Sequence, residues 1–218
     1  MIVLDIKFYN SNNLSLLLLN KNKLLLLYSI PVDLINKITI FEEIKTNVIN
    51  CTLCKLCYGR KNAVPGRGNL NTKILFVGEA PGKTEDKNGL PFIGFAGKIL
   101  EDSLEKVGLK RDDVYITNVV KCRPPNNRVP EKDEILTCLQ YLKREIQIIS
   151  PSIVCILGAT ALKSLLNLNN LQIYHGKIII CDKIKYFITY HPAATIYNNA
   201  LRELFFNEIN TVANMVKK

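Results

Sequence analysis

Two periodicities of apolar residues alternate along most of this chain. Short apolar runs, typical of buried parallel strands, occupy residues 73–77, 114–117, 153–157 and 185–189. Apolar positions at helical spacing predict helices over residues 34–48, 97–107, 131–149, 158–166 and 200–216. The sequence places Pro130 in the first turn of the longest of these helices. Strands that alternate with helices predict an α/β fold, with three layers (α/β/α) around a central, mostly parallel four-stranded sheet.

The first thirty residues differ from this pattern. Two leucine-rich runs, residues 14–19 and 24–28, flank the polar residues 20–23. Each run is far shorter than the roughly 20 apolar residues that a membrane-spanning helix needs, so we expect no membrane anchor. We interpret residues 1–31 as an N-terminal extension of uncertain structure, either a β-hairpin or a poorly ordered segment. Residues 32–218 are interpreted as the functional domain.

Three unusual segments directly follow three of the predicted strands. They are residues 78–82, 118–125 and 191–194. In an open parallel sheet the carboxyl ends of the strands lie at one edge, and ligands bind in the crevice there. We therefore expect the three segments to form one site.

The net charge and the cysteines indicate what kinds of partner and ligand the chain binds. The chain has 29 Lys and Arg against 19 Asp and Glu, and this net charge of +10 suits a polyanionic partner such as nucleic acid. Seven cysteines are too few for a disulfide scaffold in 218 residues, and no secretory signal is evident. We therefore expect a reducing, cytoplasmic location, where clustered cysteines more often bind metal.

Three motifs carry a resemblance to a known family. Residues 77–100 read VGEAPGKTEDKNGLPFIGFAGKIL, residues 116–130 read ITNVVKCRPPNNRVP, and residues 189–194 read TYHPAA. Together they resemble the family 4 uracil-DNA glycosylases, from about Glu42 to the C-terminus. The resemblance implies a monomeric, monofunctional hydrolase in base excision repair. Such an enzyme flips uracil out of single- or double-stranded DNA and cleaves its N-glycosidic bond, leaving an abasic site.

The resemblance also implies roles for individual residues. Glu79 and His191 are the catalytic candidates, Glu79 for the attacking water or the cationic sugar and His191 for the departing uracil. Ala80 stands where another family has an aspartate, so a strong general base is not evident. Glu85 either crowds the uracil C5 edge or serves as a carboxylate at a helix N-terminus. The residues expected to bind uracil are Gly78, Ala80, Glu85, Phe92, Asn118 and His191.

A cofactor follows from the same resemblance. Four cysteines match the family's pattern for a [4Fe–4S] cluster, namely Cys51, Cys54, Cys122 and Cys138. Zinc remains the alternative, because the sequence does not distinguish the two metals. Cys57 forms a second Cys-x-x-Cys pair with Cys54 and competes for a ligand position. Cys155 and Cys181 lie in apolar runs and are expected to be inert core residues.

Residues beside the three segments are candidates for contact with DNA. The phosphate candidates are Arg67, Lys121, Arg123 and Arg128, and the candidates for a wedge into the duplex are Ile196 and Tyr197. Two other functions remain open: a metal-stapled DNA-binding protein without glycosylase activity, and a relative that acts on another deaminated base. A redox protein that uses the cluster for electron transfer is the least supported.

Overall fold

The computed structural model describes residues 32–217. Residues 37–217 belong to one compact unit, which contains the sheet and the candidate site residues. The strands are β1 (Arg67–Gly68), β2 (Ile74–Gly78), β3 (Tyr115–Asn118), β4 (Ile153–Leu157), β5 (Ile178–Cys181) and β6 (Ile184–Thr189). The helices are α1 (Val32–Ile49), α2 (Leu56–Gly59), α3 (Lys83–Asn88), α4 (Phe95–Lys106), α5 (Lys132–Ile149), α6 (Ala159–Leu166), α7 (Leu171–Tyr174) and α8 (Asn199–Lys217).

The described strands form one sheet in the order β1-β3-β2-β4-β6-β5. The four predicted strands are its parallel centre, because β2 pairs in parallel with β3 and β4, and β4 with β6. The prediction of four strands in total is corrected to six. β1 and β5 add to the two edges as antiparallel strands. β1 has only two residues, too few to leave an apolar run, and the apolar run of β5 was not counted among the four predicted central strands.

Helices cover both faces of the sheet, which confirms the three-layer arrangement. Successive side chains of a strand point to opposite faces. On one face, Leu75 and Val77 of β2 pack in a core that includes residues of α1, α5 and α6. On the other face, Ile74 and Phe76 pack in a core that includes residues of α4 and α8. The central strands are therefore buried on both sides, as their unbroken apolar runs indicated.

The start of α5 differs from the prediction. Pro130 lies outside the helix, because Glu131 is the N-cap and exchanges hydrogen bonds with Glu134 in a capping box. The predicted hairpin and extension at residues 1–31 lie outside the described residues. Within the part of the chain that is described, no helix has the length and apolar character needed to cross a bilayer.

The two cysteines expected in the core have different surroundings. Cys155 lies in the central strand β4 and is fully buried. Cys181 is exposed, so the expectation that it is a core residue was wrong. It ends the edge strand β5, whose residues Ile178 and Ile180 are 44% and 69% exposed. An apolar run at a sheet edge reads like a buried strand in sequence, although only one side of it is paired.

Candidate active site

A pocket of about 270 Å³ lies at the carboxyl edge of the parallel strands. Its walls bring together residues from all three segments that the sequence singled out. The predicted residues that line it are Glu79, Ala80, Glu85, Phe92, Asn118, Arg128 and His191. The chain places β3 on one side of β2 and then β4 on the other. The pocket therefore opens where the strand order reverses, which is the expected ligand position in such a sheet.

Asn118 is the last residue of β3, and only 1% of its surface is exposed. Its Oδ1 atom is buried and has no hydrogen-bond partner among residues 32–217. A buried acceptor without a partner costs free energy, so this atom suits a ligand that donates a hydrogen bond. The neighbouring Gly78 permits this arrangement, because a Cβ there would lie 2.6 Å from Oδ1 and 2.5 Å from the Phe92 ring.

His191 follows β6 and has its ring centroid 5.6 Å from that of Phe92. Burial lowers the pKa of His191 to about 4, although the negative charge of Glu85 opposes the shift. The imidazole is therefore neutral near pH 7. Its Nδ1 atom accepts a hydrogen bond of 3.2 Å from the Ala193 backbone N–H. The single proton consequently resides on Nε2, which makes that nitrogen the donor available to a ligand.

The carboxylate of Glu79 is held by a residue that the sequence did not single out. The Thr160 hydroxyl, at the start of α6, donates a hydrogen bond to Glu79 Oε2. In the same turn, Gly158 has a φ of +95° and packs so closely on His191 that a Cβ would lie 3.0 Å from the His191 Cβ. This turn follows β4, so the rule about strand ends that indicated the other three segments could have indicated it too.

Glu85 lines the pocket from the first turn of α3 and is almost buried. Its Oε1 atom accepts hydrogen bonds from the backbone N–H groups of Ile93, at 3.0 Å, and Gly94, at 2.6 Å. These bonds hold the loop that carries Phe92. The carboxylate therefore has a structural partner in addition to its position in the pocket.

A second, smaller cavity lies next to the segment that follows β3. Five cysteines line it: Cys51, Cys54, Cys57, Cys122 and Cys138. No group of three or more His, Cys, Asp or Glu among the described residues meets the geometry for one metal ion. The four predicted ligands do line one cavity, and Cys57 lines it with them.

Two of the sulfur atoms in this cavity accept hydrogen bonds from the protein. Arg60 Nη1 lies 2.9 Å from Cys122 Sγ, and the Lys121 backbone N–H lies 3.3 Å from Cys138 Sγ. Burial raises the pKa of the Cys138 thiol to about 12 and raises those of Cys54 and Cys122. These three thiols are thus protonated unless a metal supplies positive charge, and the two donors are placed where metal-bound thiolates accept hydrogen bonds. The donor set fits a thiolate-bound metal group.

The family follows from comparison with known proteins. Residues 65–213, more than half of the chain, match the Uracil DNA glycosylase superfamily. This chain belongs to that superfamily. A Type-4 uracil-DNA glycosylase of Sulfurisphaera tokodaii is 47% identical over 181 residues, which cover 78% of this chain and 82% of that protein. One of Archaeoglobus fulgidus is 40% identical over 186 residues, covering 81% of this chain and 94% of that protein. The resemblance to the family 4 enzymes is confirmed.

The basic residues predicted to contact DNA differ in how exposed their side chains are and in the partners that they already have within the protein. The structure corrects the prediction for Lys121, which is 1% exposed and donates from Nζ to Glu145 Oε2 at 2.6 Å. Arg128 lines the pocket but forms a two-pronged ion pair with the buried Glu134. Arg123 donates to Asn127 Oδ1, and Arg67 is exposed on the edge strand β1. Lys121 is a structural cation, whereas the arginines remain candidates.

The two wedge candidates also separate. Ile196 is partly buried and packs against the core shared with α8, so it does not face outward as a wedge requires. Tyr197 is 99% exposed in the turn that leads into α8. Of the two candidates, only Tyr197 has a side chain that is fully exposed to solvent.

Proposed function

We propose that this protein excises uracil from DNA by hydrolysing the N-glycosidic bond and leaves an abasic site for base excision repair. Membership of the superfamily supports uracil as the substrate. The observation that carries the proposal at the level of residues is the buried, unpartnered Oδ1 of Asn118 inside the pocket.

Base recognition follows from the amide of Asn118. Its Oδ1 accepts from uracil N3–H, and its Nδ2 donates to uracil O4. Cytosine presents an acceptor at N3 and a donor at C4, so both hydrogen bonds would be lost with that base. Phe92 is placed to stack on the flipped ring. The position of Glu85 in the pocket supports its proposed second role, crowding the C5 edge where thymine has a methyl group.

His191 stabilises the leaving group. When the bond between C1′ and N1 breaks, its electron pair stays with uracil, which departs as an anion, and the sugar becomes an oxocarbenium-like cation. The neutral imidazole donates from Nε2 to uracil O2, where negative charge develops. Because His191 is already neutral and its proton is already on Nε2, no proton needs to be rearranged before the reaction.

Glu79 acts on the sugar and on the attacking water, whereas His191 acts on the base. Its carboxylate carries the negative charge that favours a cationic sugar, and it is placed to orient the water that adds to C1′. As the new C–O bond forms, that water releases one proton to solvent, and the departed uracil anion takes up one proton in turn, so the net reaction adds one water across the C1′–N1 bond. Ala80 offers no second carboxylate at the adjacent position. We therefore assign the sugar and the water to Glu79 and the departing base to His191.

The cysteine cavity holds a [4Fe–4S] cluster in this proposal, with Cys51, Cys54, Cys122 and Cys138 as ligands and zinc as the alternative metal. When bound, the cluster supplies structural cross-links rather than chemistry on the base. It would join the segment at Cys51 to the loop after β3 and to α5. Elemental analysis separates the alternatives, because iron with acid-labile sulfide supports the cluster and stoichiometric zinc contradicts it.

The protein binds its substrate as a monomer in this proposal, on single- or double-stranded DNA. The net charge of +10 and the exposed Arg67 and Tyr197 support contact with a polyanion. We place the protein in a reducing, cytoplasmic compartment, where cysteines stay out of disulfides and can bind a metal group, as the seven cysteines here do not pair with one another.

The test is alkaline cleavage after incubation with oligonucleotides that contain one uracil, in single strands and opposite guanine or adenine. Strand breaks at the uracil, with none at thymine or cytosine, are expected. Binding without breaks would leave a DNA-binding protein and contradict the glycosylase. Breaks only in parallel oligonucleotides that carry hypoxanthine or xanthine in place of uracil would show a relative specific for another deaminated base. Breaks without alkali would contradict a monofunctional enzyme.

A further inference from the structure

Arg111 contacts the backbone of the loop that carries the aromatic wall of the pocket. It lies in the 3₁₀ turn Arg111–Asp113 that leads into β3. Its Nη1 donates to Phe92 O at 2.8 Å, and its Nη2 donates to Pro91 O. One planar guanidinium therefore holds two consecutive carbonyl groups, which a single ammonium group cannot reproduce in the same geometry.

Phe92 needs such support because its backbone is strained. Its φ is +51°, in the left-handed region that residues with a side chain rarely adopt. Such a conformation persists only when the surrounding contacts hold it. Arg111 holds the carbonyl groups on one side of the loop. On the following residues, Glu85 accepts from the N–H groups of Ile93 and Gly94.

The backbone conformation at Phe92 fixes where its ring lies. The ring packs on Gly78 so closely that a Cβ there would lie 2.5 Å from it, and it also contacts the His191 ring. Phe92 is 5% exposed and lines the pocket. Any relaxation of the loop would therefore move the ring relative to Asn118 and His191, the two residues that bind the base.

We infer that Arg111 is a positioning residue for base recognition: it fixes the Phe92 ring as the surface on which uracil stacks, without lining the pocket itself. This inference rests on the proposed function, since uracil is the ligand of that surface. Because Arg111 acts through Phe92, its effect on uracil binding should vanish when the ring is absent.

The experiment is a double-mutant cycle of Arg111→Lys with Phe92→Ala. Arg144→Lys is the matched control, since Arg144 pairs with Glu43 at the surface. The readouts are kcat and KM on a uracil oligonucleotide, inhibition by free uracil, and the melting temperature. Stacking of a base on an aromatic ring is worth roughly 5- to 150-fold in affinity. We expect Arg111→Lys to raise KM and the uracil inhibition constant about tenfold, as partial loss of that contact.

In the Phe92→Ala background, Arg111→Lys should change the inhibition constant by less than about twofold, because coupled residues do not act additively. An equal loss in both backgrounds would overturn the inference. So would an unchanged inhibition constant with a lower melting temperature, which indicates a structural role only. Arg111→Gln, which keeps a single amide donor, replaces the lysine variant if that variant does not fold. Failure of the wild-type protein to cleave uracil DNA would instead contradict the proposed function.

Discussion

The base pocket and the cysteine cavity are built on one short stretch of chain and meet opposite physical requirements. Asn118 enters the pocket, and Cys122 enters the cavity only four positions later. In the pocket, a buried acceptor has no partner among the described residues. In the cavity, the protein itself supplies donors to the sulfur atoms, including Arg60. Under the proposed function, the pocket takes a ligand that arrives and leaves, whereas the cavity holds one that stays.

Lys121 joins the two sites. Its Nζ donates to Asn118 O at 3.0 Å and to the buried Glu145, while its backbone N–H contacts Cys138 Sγ. Glu145 also accepts from Gly66 N and from Thr117 Oγ1. Breaking a buried ion pair costs about 3–5 kcal/mol. The network of Lys121 and Glu145 is therefore a rigid support that both sites share. Variants that act on one site should therefore leave the other intact unless they disturb Lys121.

The largest expected effect comes from Asn118→Ala, which should impair base recognition in the pocket and leave the cysteine cavity unchanged. Loss of both amide contacts with the base should reduce kcat/KM about 1000-fold. The iron or zinc content should stay unchanged. Asn214→Ala, on the exposed face of α8, is the control and should behave as wild type. An Asn118→Ala protein within threefold of wild-type activity would show that the amide does not read the base. A loss of metal would show that the two sites are not separable.

Cys54→Ser and Cys57→Ser test which cysteines of the cavity bind the metal. With Cys51, Cys54, Cys122 and Cys138 as ligands, Cys54→Ser should lose most of the bound metal and melt at a lower temperature. Cys57→Ser should keep both the metal and the melting temperature, although Cys57 lines the same cavity. The measurements are metal and sulfide content with thermal unfolding. The reverse pattern would assign Cys57 as the ligand in place of Cys54.

Thr160→Val should have a smaller effect, because it removes only the hydrogen bond that orients Glu79. Valine matches the shape of threonine without the hydroxyl, and misplacement of a catalytic group is costly. We expect kcat to fall about tenfold with KM nearly unchanged. Thr160→Ser keeps the hydroxyl and should stay within about twofold of wild type. In a Glu79→Gln background, the valine change should add little. Equal losses for valine and serine would contradict a role through the hydroxyl.

The contacts that the sequence could not reveal are those made by side chains between distant elements. The central strands were predictable because burial on both faces leaves unbroken apolar runs, and the resemblance indicated Asn118 and His191. Arg111 precedes β3 and Thr160 opens α6, so neither lies in the motifs that carried the resemblance. Lys121 was misjudged because sequence gives its charge but not the buried Glu145 that pairs with it.

The smallest expected effect concerns pH and tests whether burial keeps His191 of the pocket neutral. The folded protein holds the pKa of His191 at about 4, below the ordinary value of 6.5. Between these values the unfolded chain binds a proton that the folded chain rejects, so the free energy of unfolding falls as pH falls from 6.5 towards 4. His191→Asn removes this contribution and should lose less stability than wild type over that range. Urea unfolding at pH 7 and pH 5 measures it. Equal losses in the two proteins would mean that His191 is not held neutral by burial, and the assignment of Nε2–H as the donor to uracil O2 would lose its support.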